Sequence, residues 1–280
     1  MRKQLFILST LVLFALGSCQ KYAGDPVTKE FSIEGPYTEL DVSDGFEVTV
    51  SDAVSEVTVT VGENIMPKVV VEIVENTLKI YLKGINHSNY GSDMIVVLPN
   101  NPNLMSVELS GASEFHSEFA LEGQKVDVEL SGASEFYCDV DADKVEIDMT
   151  GASNFNGEIL ADEVDLDMSG ASSIKGALDA LDLDLEMSGG SDVALEGQVL
   201  NLEINMSGAS NIVKKVVGNR YGLVCDKCEG EMSGASDAYI HCDGTIKVSL
   251  SGGSELHYTG NAATTGSSCS GGSELSHDVP

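Results

Sequence analysis

The sequence predicts an all-β protein wound as a β-solenoid with coils about 19 residues long, and three observations carry that expectation. The tetrapeptide Ser-Gly-Ala-Ser, or a one-letter variant, occurs nine times, starting at Ser110, Ser131, Thr150, Ser169, Ser188, Ser207, Ser233, Ser251 and Ser270. Its intervals of 21, 19, 19, 19, 19, 26, 18 and 19 residues mean one structural unit stacked on copies of itself. Apolar residues hold fixed places around each copy: Leu130, Val128, Val126 and Phe136 in the second, Met168, Leu166, Val164 and Ile174 in the fourth. Alternation with period two over so few residues describes a short strand with one buried face. A unit this short leaves no room for a pair of helices, and runs such as Val-Asp-Val-Glu-Leu favour extension.

At the N-terminus, Arg2 and Lys3 precede an apolar run from Leu5 to Gly17, too short to span a bilayer but suited to a secretory signal. The run ends in Leu-Gly-Ser-Cys at Leu16 to Cys19, which resembles the lipobox of bacterial lipoproteins. That resemblance implies cleavage before Cys19 and its diacylation; the alternative is an ordinary signal peptide with an incidental cysteine. Residues 1–18 are then the signal and 19–30 a tether. Gln20 is not the aspartate that retains enterobacterial lipoproteins at the inner membrane. Gln20-Lys21 resembles the surface-export signal of Bacteroidetes lipoproteins, with its acidic cluster reduced to Asp25. The implied place is the outer membrane, facing outward.

Residues 31–100 lack the tetrapeptide but keep the alternation, as in Val57-Thr-Val-Thr-Val61 and Leu78-Lys-Ile-Tyr-Leu82. Turn residues at Ser43-Asp44-Gly45 and Glu75-Asn76 make this a less regular β-region that starts or caps the solenoid. Pro99, Asn100, Asn101 and Pro102 mark the passage into the regular coils of residues 101–280.

Stacked coils lie about 4.8 Å apart, so nine make a rod of about 40 Å with like residues in columns. Phe115, Phe136, Phe155, Ile174, Val193 and Ile212 form one core column, and Leu109, Leu130, Met149, Met168, Met187 and Met206 another. By its place in the second column, Cys269 belongs to the core. Glycine at the second motif position suits a turn with positive φ or no room for a side chain. The serines are expected to satisfy turn backbone groups, since a nucleophile needs one activated copy with a base beside it, not nine equivalents.

The formal net charge is −30, and loss of residues 1–18 with their two cations takes it to −32. Nucleic acid and anionic membrane surfaces are thereby disfavoured as partners. The acids form two outward columns that include Asp127, Glu146, Asp165 and Asp184 in one, Glu129, Asp148, Asp167 and Glu186 in the other. Such a face suits divalent cations, calcium above all, although no cofactor is required; the alternative is a solubilising surface.

The 26-residue interval carries a seven-residue excess near Val217 to Cys228. Insertions in solenoids emerge as loops and often bind, so Arg220 and Tyr221 are candidate contact residues. Cys225, Cys228 and Cys242 could pair as a disulfide in an exported protein, stay as thiols, or ligate zinc together with His241. Cys138 has no evident partner.

The Asp44-Gly45-Phe46-Glu47-Val48 segment, the Leu78-Lys-Ile80 strand and the Leu- or Met-Ser-Gly-Ala-Ser repeats behind a lipobox resemble the head GIN domain family of putative autotransporter adhesins. The likeness covers about residues 30–280 and implies a right-handed parallel β-helix. It supplies no catalytic or binding residues. The functional expectation is a surface-exposed lipoprotein, membrane-bound through its lipid, that binds or adheres to a glycan or protein ligand without catalysis. A periplasm-facing structural or regulatory lipoprotein with a protein partner is the runner-up. A calcium-dependent polysaccharide lyase is the third reading, opposed by the absence of Trp and the uniform repetition of the carboxylates.

Overall fold

The computed structural model describes residues 23–84, 93–218 and 220–279. They form a parallel β-solenoid in which nine motif-bearing coils stack in register, and the short 3-10 turn Met66–Lys68 is the one helical element among them. The strand Val140–Met149 pairs residue for residue with Leu121–Leu130 on one side and Ile159–Met168 on the other. Past the tetrapeptide, Glu135–Tyr137 and Asn154–Asn156 continue the second side of the coil. The ladders skip Gln124, Asp143, Asp162, Leu181 and Leu200, and two consecutive residues turn outward there. That change of phase is a corner, which explains why Leu181 and Leu200 are exposed.

The expected core columns are present. Phe115, Phe136 and Phe155 are fully buried and stack ring on ring, with centroids 5.3 and 4.9 Å apart. The motif glycines all have φ between 68° and 79°. At Gly151, Gly170, Gly189, Gly208 and Gly234 an added Cβ would lie 2.4 Å from the carbonyl oxygen of the glycine one coil below. Left-handed backbone and contact with the next coil both exclude a side chain here.

The head is built out of chain order. The strand Glu39–Val42 lies between Thr77–Leu82 and Ser106–Leu109, and Glu47–Ser51 lies between Ile95–Pro99 and Glu114–His116. The second coil is thus laid down before the first. Antiparallel strands finish the N-terminal end: Val69–Val74 returns along Thr77–Leu82, while Val57–Gly62 joins Ile95–Pro99 to Pro26–Phe31. Antiparallel edge strands terminate the parallel ladders, which would otherwise present open templates for pairing. The turn Ser43-Asp44-Gly45 sits directly beneath the first motif, and the Gly45 amide donates to the Ser113 hydroxyl at 3.2 Å.

Two expectations need correction. The insertion occupies residues 213–222, not the stretch from Val217 to Cys228, because Leu223–Met232 is already a regular strand with Cys225 opposite Val199 and Cys228 opposite Leu202. Cys269 is exposed rather than core. It keeps register with Leu250, but it stands in the last motif-bearing coil, where no further motif-bearing coil covers it.

Gly170→Ala is expected to lower stability by about 2–4 kcal/mol, from strain at positive φ plus overpacking against the coil below. Gly190→Ala, where the nearest atom is 3.9 Å from the new Cβ and φ is not positive, is expected to be neutral or to gain about 0.5 kcal/mol. Denaturant unfolding of the two variants beside the parent checks both.

Candidate functional site

The serines can be placed first, since nine hydroxyls on one line invite a chemical reading. In every copy the last serine donates its hydroxyl to the carbonyl of the first motif residue, as Ser134 does to Ser131 at 2.8 Å and Ser153 to Thr150 at 2.7 Å. Eight of these serines are buried. Their protons are committed to turn carbonyls, so they close the corner and do not act as nucleophiles.

The acidic columns run as expected along one outer side. Glu108, Glu129, Asp148, Asp167 and Glu186 are successive register partners, as are Asp127, Glu146, Asp165 and Asp184. The second column is partly neutralised. The Lys125 Nζ lies 2.7 Å from both Asp127 and Glu146, and the Lys144 Nζ bridges Glu146, Glu163 and Asp165 at 3.2, 2.6 and 2.8 Å. Lysine pairing holds Glu146 below the ordinary carboxyl range against the opposing effect of burial. Among the described residues Asp184 has no such cation, and one of its carboxylate oxygens is buried without a hydrogen-bond partner. Burial, then Glu203, Glu186 and other neighbouring carboxylates, raise its pKa, and burial followed by like charge does the same at Asp148 and Glu108. A groove of about 260 Å³ follows this face, between Asp148, Asp167 and Glu186 and the first motif residues Thr150, Ser169 and Ser188. Among the described residues no three His, Cys, Asp or Glu side chains converge into a metal-holding cluster.

The insertion forms a small antiparallel hairpin, Val216–Val217 against Arg220–Tyr221. Its two candidate residues part company. Arg220 is exposed and lines a groove of about 370 Å³ with Glu158, Asp179, Glu196, Gln198 and Val217. Tyr221 is 1% exposed: its hydroxyl hydrogen-bonds Asp278, its amide meets the Thr259 hydroxyl at 3.2 Å, and its ring meets Tyr239 edge-on. Tyr221 is therefore the hairpin's anchor, and the hairpin's exposed surface is made by Arg220, Val213, Val216 and Val217. Asp278 also accepts from His257 at 3.2 Å. Burial draws the His257 pKa down, but hydrogen bonds to Glu255 and Asp278 outweigh it and leave it raised.

A groove that the sequence does not announce lies at the head. It has a volume of about 690 Å³, where residues 33–38 face the Pro99 to Asn103 turn, with Met105 and Glu122 on its wall. The run Pro99-Asn100-Asn101-Pro102 reads only as a boundary, and the fold supplies the opposite wall from residues over sixty positions earlier. Asn101 joins the two sides by donating to the Tyr37 carbonyl at 2.8 Å. Cys225, Cys228 and Cys242 are all buried and unbridged; Cys138 is buried too, its thiol directed at the Phe119 carbonyl 3.2 Å away and pushed up to about 11 by burial. Cys19 lies outside the described residues.

Residues 36–158 and 154–262 match the protein family described as "Putative auto-transporter adhesin, head GIN domain". The chain belongs to this family. Among solved structures it is similar to a "putative adhesin" from Parabacteroides merdae ATCC 43184, with TM-score 0.62 and 19% identity over 91% of this chain and 97% of that one. A "putative adhesin" from Parabacteroides distasonis ATCC 8503 gives TM-score 0.62 and 19% identity, covering 92% and 96%. A "Putative lipid binding protein" from the same strain gives 0.59 and 20%, covering 91% and 97%. At such identities these likenesses speak to the fold alone. No curated protein matches the chain.

A carboxyl whose native pKa is raised favours the folded state when protonated, below the unfolded value of about 4, and loses that contribution as pH rises through the native value. Asp184→Asn is accordingly expected to stabilise the protein at pH 7 by up to about 1 kcal/mol, given partial solvent screening. The gain should shrink as pH falls towards 4 or as salt rises, and thermal unfolding across pH and ionic strength measures it.

Proposed function

We propose that this head GIN chain is an outer-membrane lipoprotein, anchored through Cys19 and directed outward, whose solenoid is a rigid, non-catalytic binding element. The observation that carries the reading is the hairpin of residues 213–222, an exposed, irregular groove set among motif-bearing coils that otherwise repeat one another. Repetition is a poor basis for selecting one ligand, because every rung offers the same groups. The hairpin breaks it with Arg220, the one arginine beyond the signal segment, and with exposed valines, set against Glu158, Asp179 and Glu196. A buried tyrosine anchor holds that surface in place, which reduces the ordering cost of binding. The net charge of −30 turns away polyanions, so a neutral or cationic glycan or protein is the class of partner favoured.

The adhesin description of the family supports a non-catalytic role. The lyase alternative is disfavoured by the absence of Trp from the sequence and by acidic ladders that repeat from coil to coil without a distinct set.

Orientation is tested with an epitope tag and protease site inserted after Gly218. Cleavage on intact cells, with a periplasmic control left whole, is the expected result; protection until lysis would contradict the outward reading and favour the periplasm-facing one. Contact is tested by capture of purified chain on a panel of glycans and matrix glycoproteins. Combined Val217→Ser and Arg220→Ala changes should weaken capture about tenfold, equivalent to about 1.4 kcal/mol, while leaving the unfolding midpoint in place.

A further inference from the structure

We propose that Cys225 and Cys242 form a disulfide that ties the coil entered from the hairpin to the coil above it, leaving Cys228 a free core thiol. The two cysteines are direct register partners in the parallel strands Leu223–Met232 and Asp237–Leu250. Neighbouring strands run about 4.8 Å apart, within the Cα separation of about 4.4–6.8 Å that a disulfide spans. Both side chains point inward, at 3% and 0% exposure.

Cys228 faces the same core but is opposite Ile246. It is also three residues from Cys225 along an extended strand, a step of roughly 10 Å that exceeds a disulfide's reach. The register thus selects one pairing out of three. Below the pair, the same column holds Ala142, Ala161, Ala180 and Val199, a narrow lane that takes small groups. Immediately after the pair the ladder shifts between Cys225 and Lys227, an irregularity that lets the two strands adjust by the few tenths of an ångström a bond requires.

The chemistry is thiol–disulfide exchange, with a small-molecule or protein disulfide as oxidant. Either cysteine can begin the exchange once it loses its proton, for example Cys242. Its thiolate attacks one sulfur of the oxidant and expels a thiolate. Cys225 then attacks the mixed disulfide at Cys242, forming the Cys225–Cys242 bond and releasing the second thiolate. The two protons from the cysteines end on the two released thiols, and the oxidant takes two electrons. Burial of both thiols places the reaction during folding, before the coils close.

In the cell, the bond rests on the export reading above, because cytosolic thiols stay reduced. The test separates the two ideas by starting in vitro. The full chain is unfolded, refolded in buffered reduced and oxidised glutathione, unfolded again in alkylating agent and mapped by mass spectrometry. Expected is a linked peptide joining Cys225 to Cys242, with Cys138 and Cys228 alkylated, and an unfolding midpoint about 5–10 °C lower after reduction. The double variant Cys225→Ser/Cys242→Ser should match the reduced parent and ignore reductant. Equal alkylation of Cys225, Cys228 and Cys242, or a Cys225–Cys228 link, overturns the pairing. The same map on protein alkylated in native envelopes then reports on compartment: a linked pair in both samples supports bond and export, whereas a pair formed in vitro but reduced in cells would overturn the export reading and leave the geometry standing.

Discussion

One hydrogen bond, repeated, sets the geometry of everything else: the amide of the third motif residue reaches the carbonyl of the motif glycine one coil below. It measures 2.8 Å from Ala152 to Gly132 and 2.7 Å from Ala171 to Gly151, from Gly190 to Gly170 and from Ala209 to Gly189. The contact is so close that the glycine above has no space for a Cβ, and it continues the β-ladder around a corner where strands would otherwise part. With the corners fixed, each strand has one register left to it. A slip of one residue would turn every core side chain outward.

Registration has a cost on the outer side. It stacks carboxylates rung upon rung at about 5 Å, where like charges repel by about 0.8 kcal/mol per pair in water. Lys125 and Lys144 offset this in the lower coils by bridging several acids at once. Above them Asp184 stands without a lysine among the described residues, and its raised carboxyl pKa marks the strain. The rod tolerates a face that resists its own assembly because the buried columns and the glycine corners on its other sides hold each coil to the next. A self-repelling face also resists edge-to-edge and side-to-side association, which suits a solenoid kept as a single rod.

What was legible in the sequence was whatever repeats. Val126, Val128 and Leu130 announce a buried strand face by alternation, Gly170 announces a positive φ by recurring at one motif position, and the aromatic column follows from its offset. What was not legible depends on pairings between distant segments. Nothing local shows that Glu39–Val42 will sit above Thr77–Leu82, or that residues 33–38 will face Pro99 to Asn103 and enclose a groove. Cys269 has the sequence position of a core residue and is exposed because its coil is the last of the motif series. Tyr221 reads as a loop aromatic free to touch a ligand, yet its partners, Thr259 and Asp278, lie far along the chain and bury it. The insertion was placed four to six residues too late because Cys225 and Cys228 do not look like the Val199 and Leu202 they replace in the column.

The same logic divides the molecule by function. Coils joined by corner bonds build a stiff body, and the segment that leaves the register between the motif-bearing coils, residues 213–222, stands on it as a separately held surface. Hydrogen–deuterium exchange resolved by peptide tests that division most directly. The corner amides of Ala152, Ala171, Gly190 and Ala209 should be among the slowest to exchange in the chain, while the hairpin of residues 213–222 exchanges orders of magnitude faster. Corner amides that exchange as fast as the hairpin would show that the glycine ladder does not hold the coils together, and the account would fail at its base.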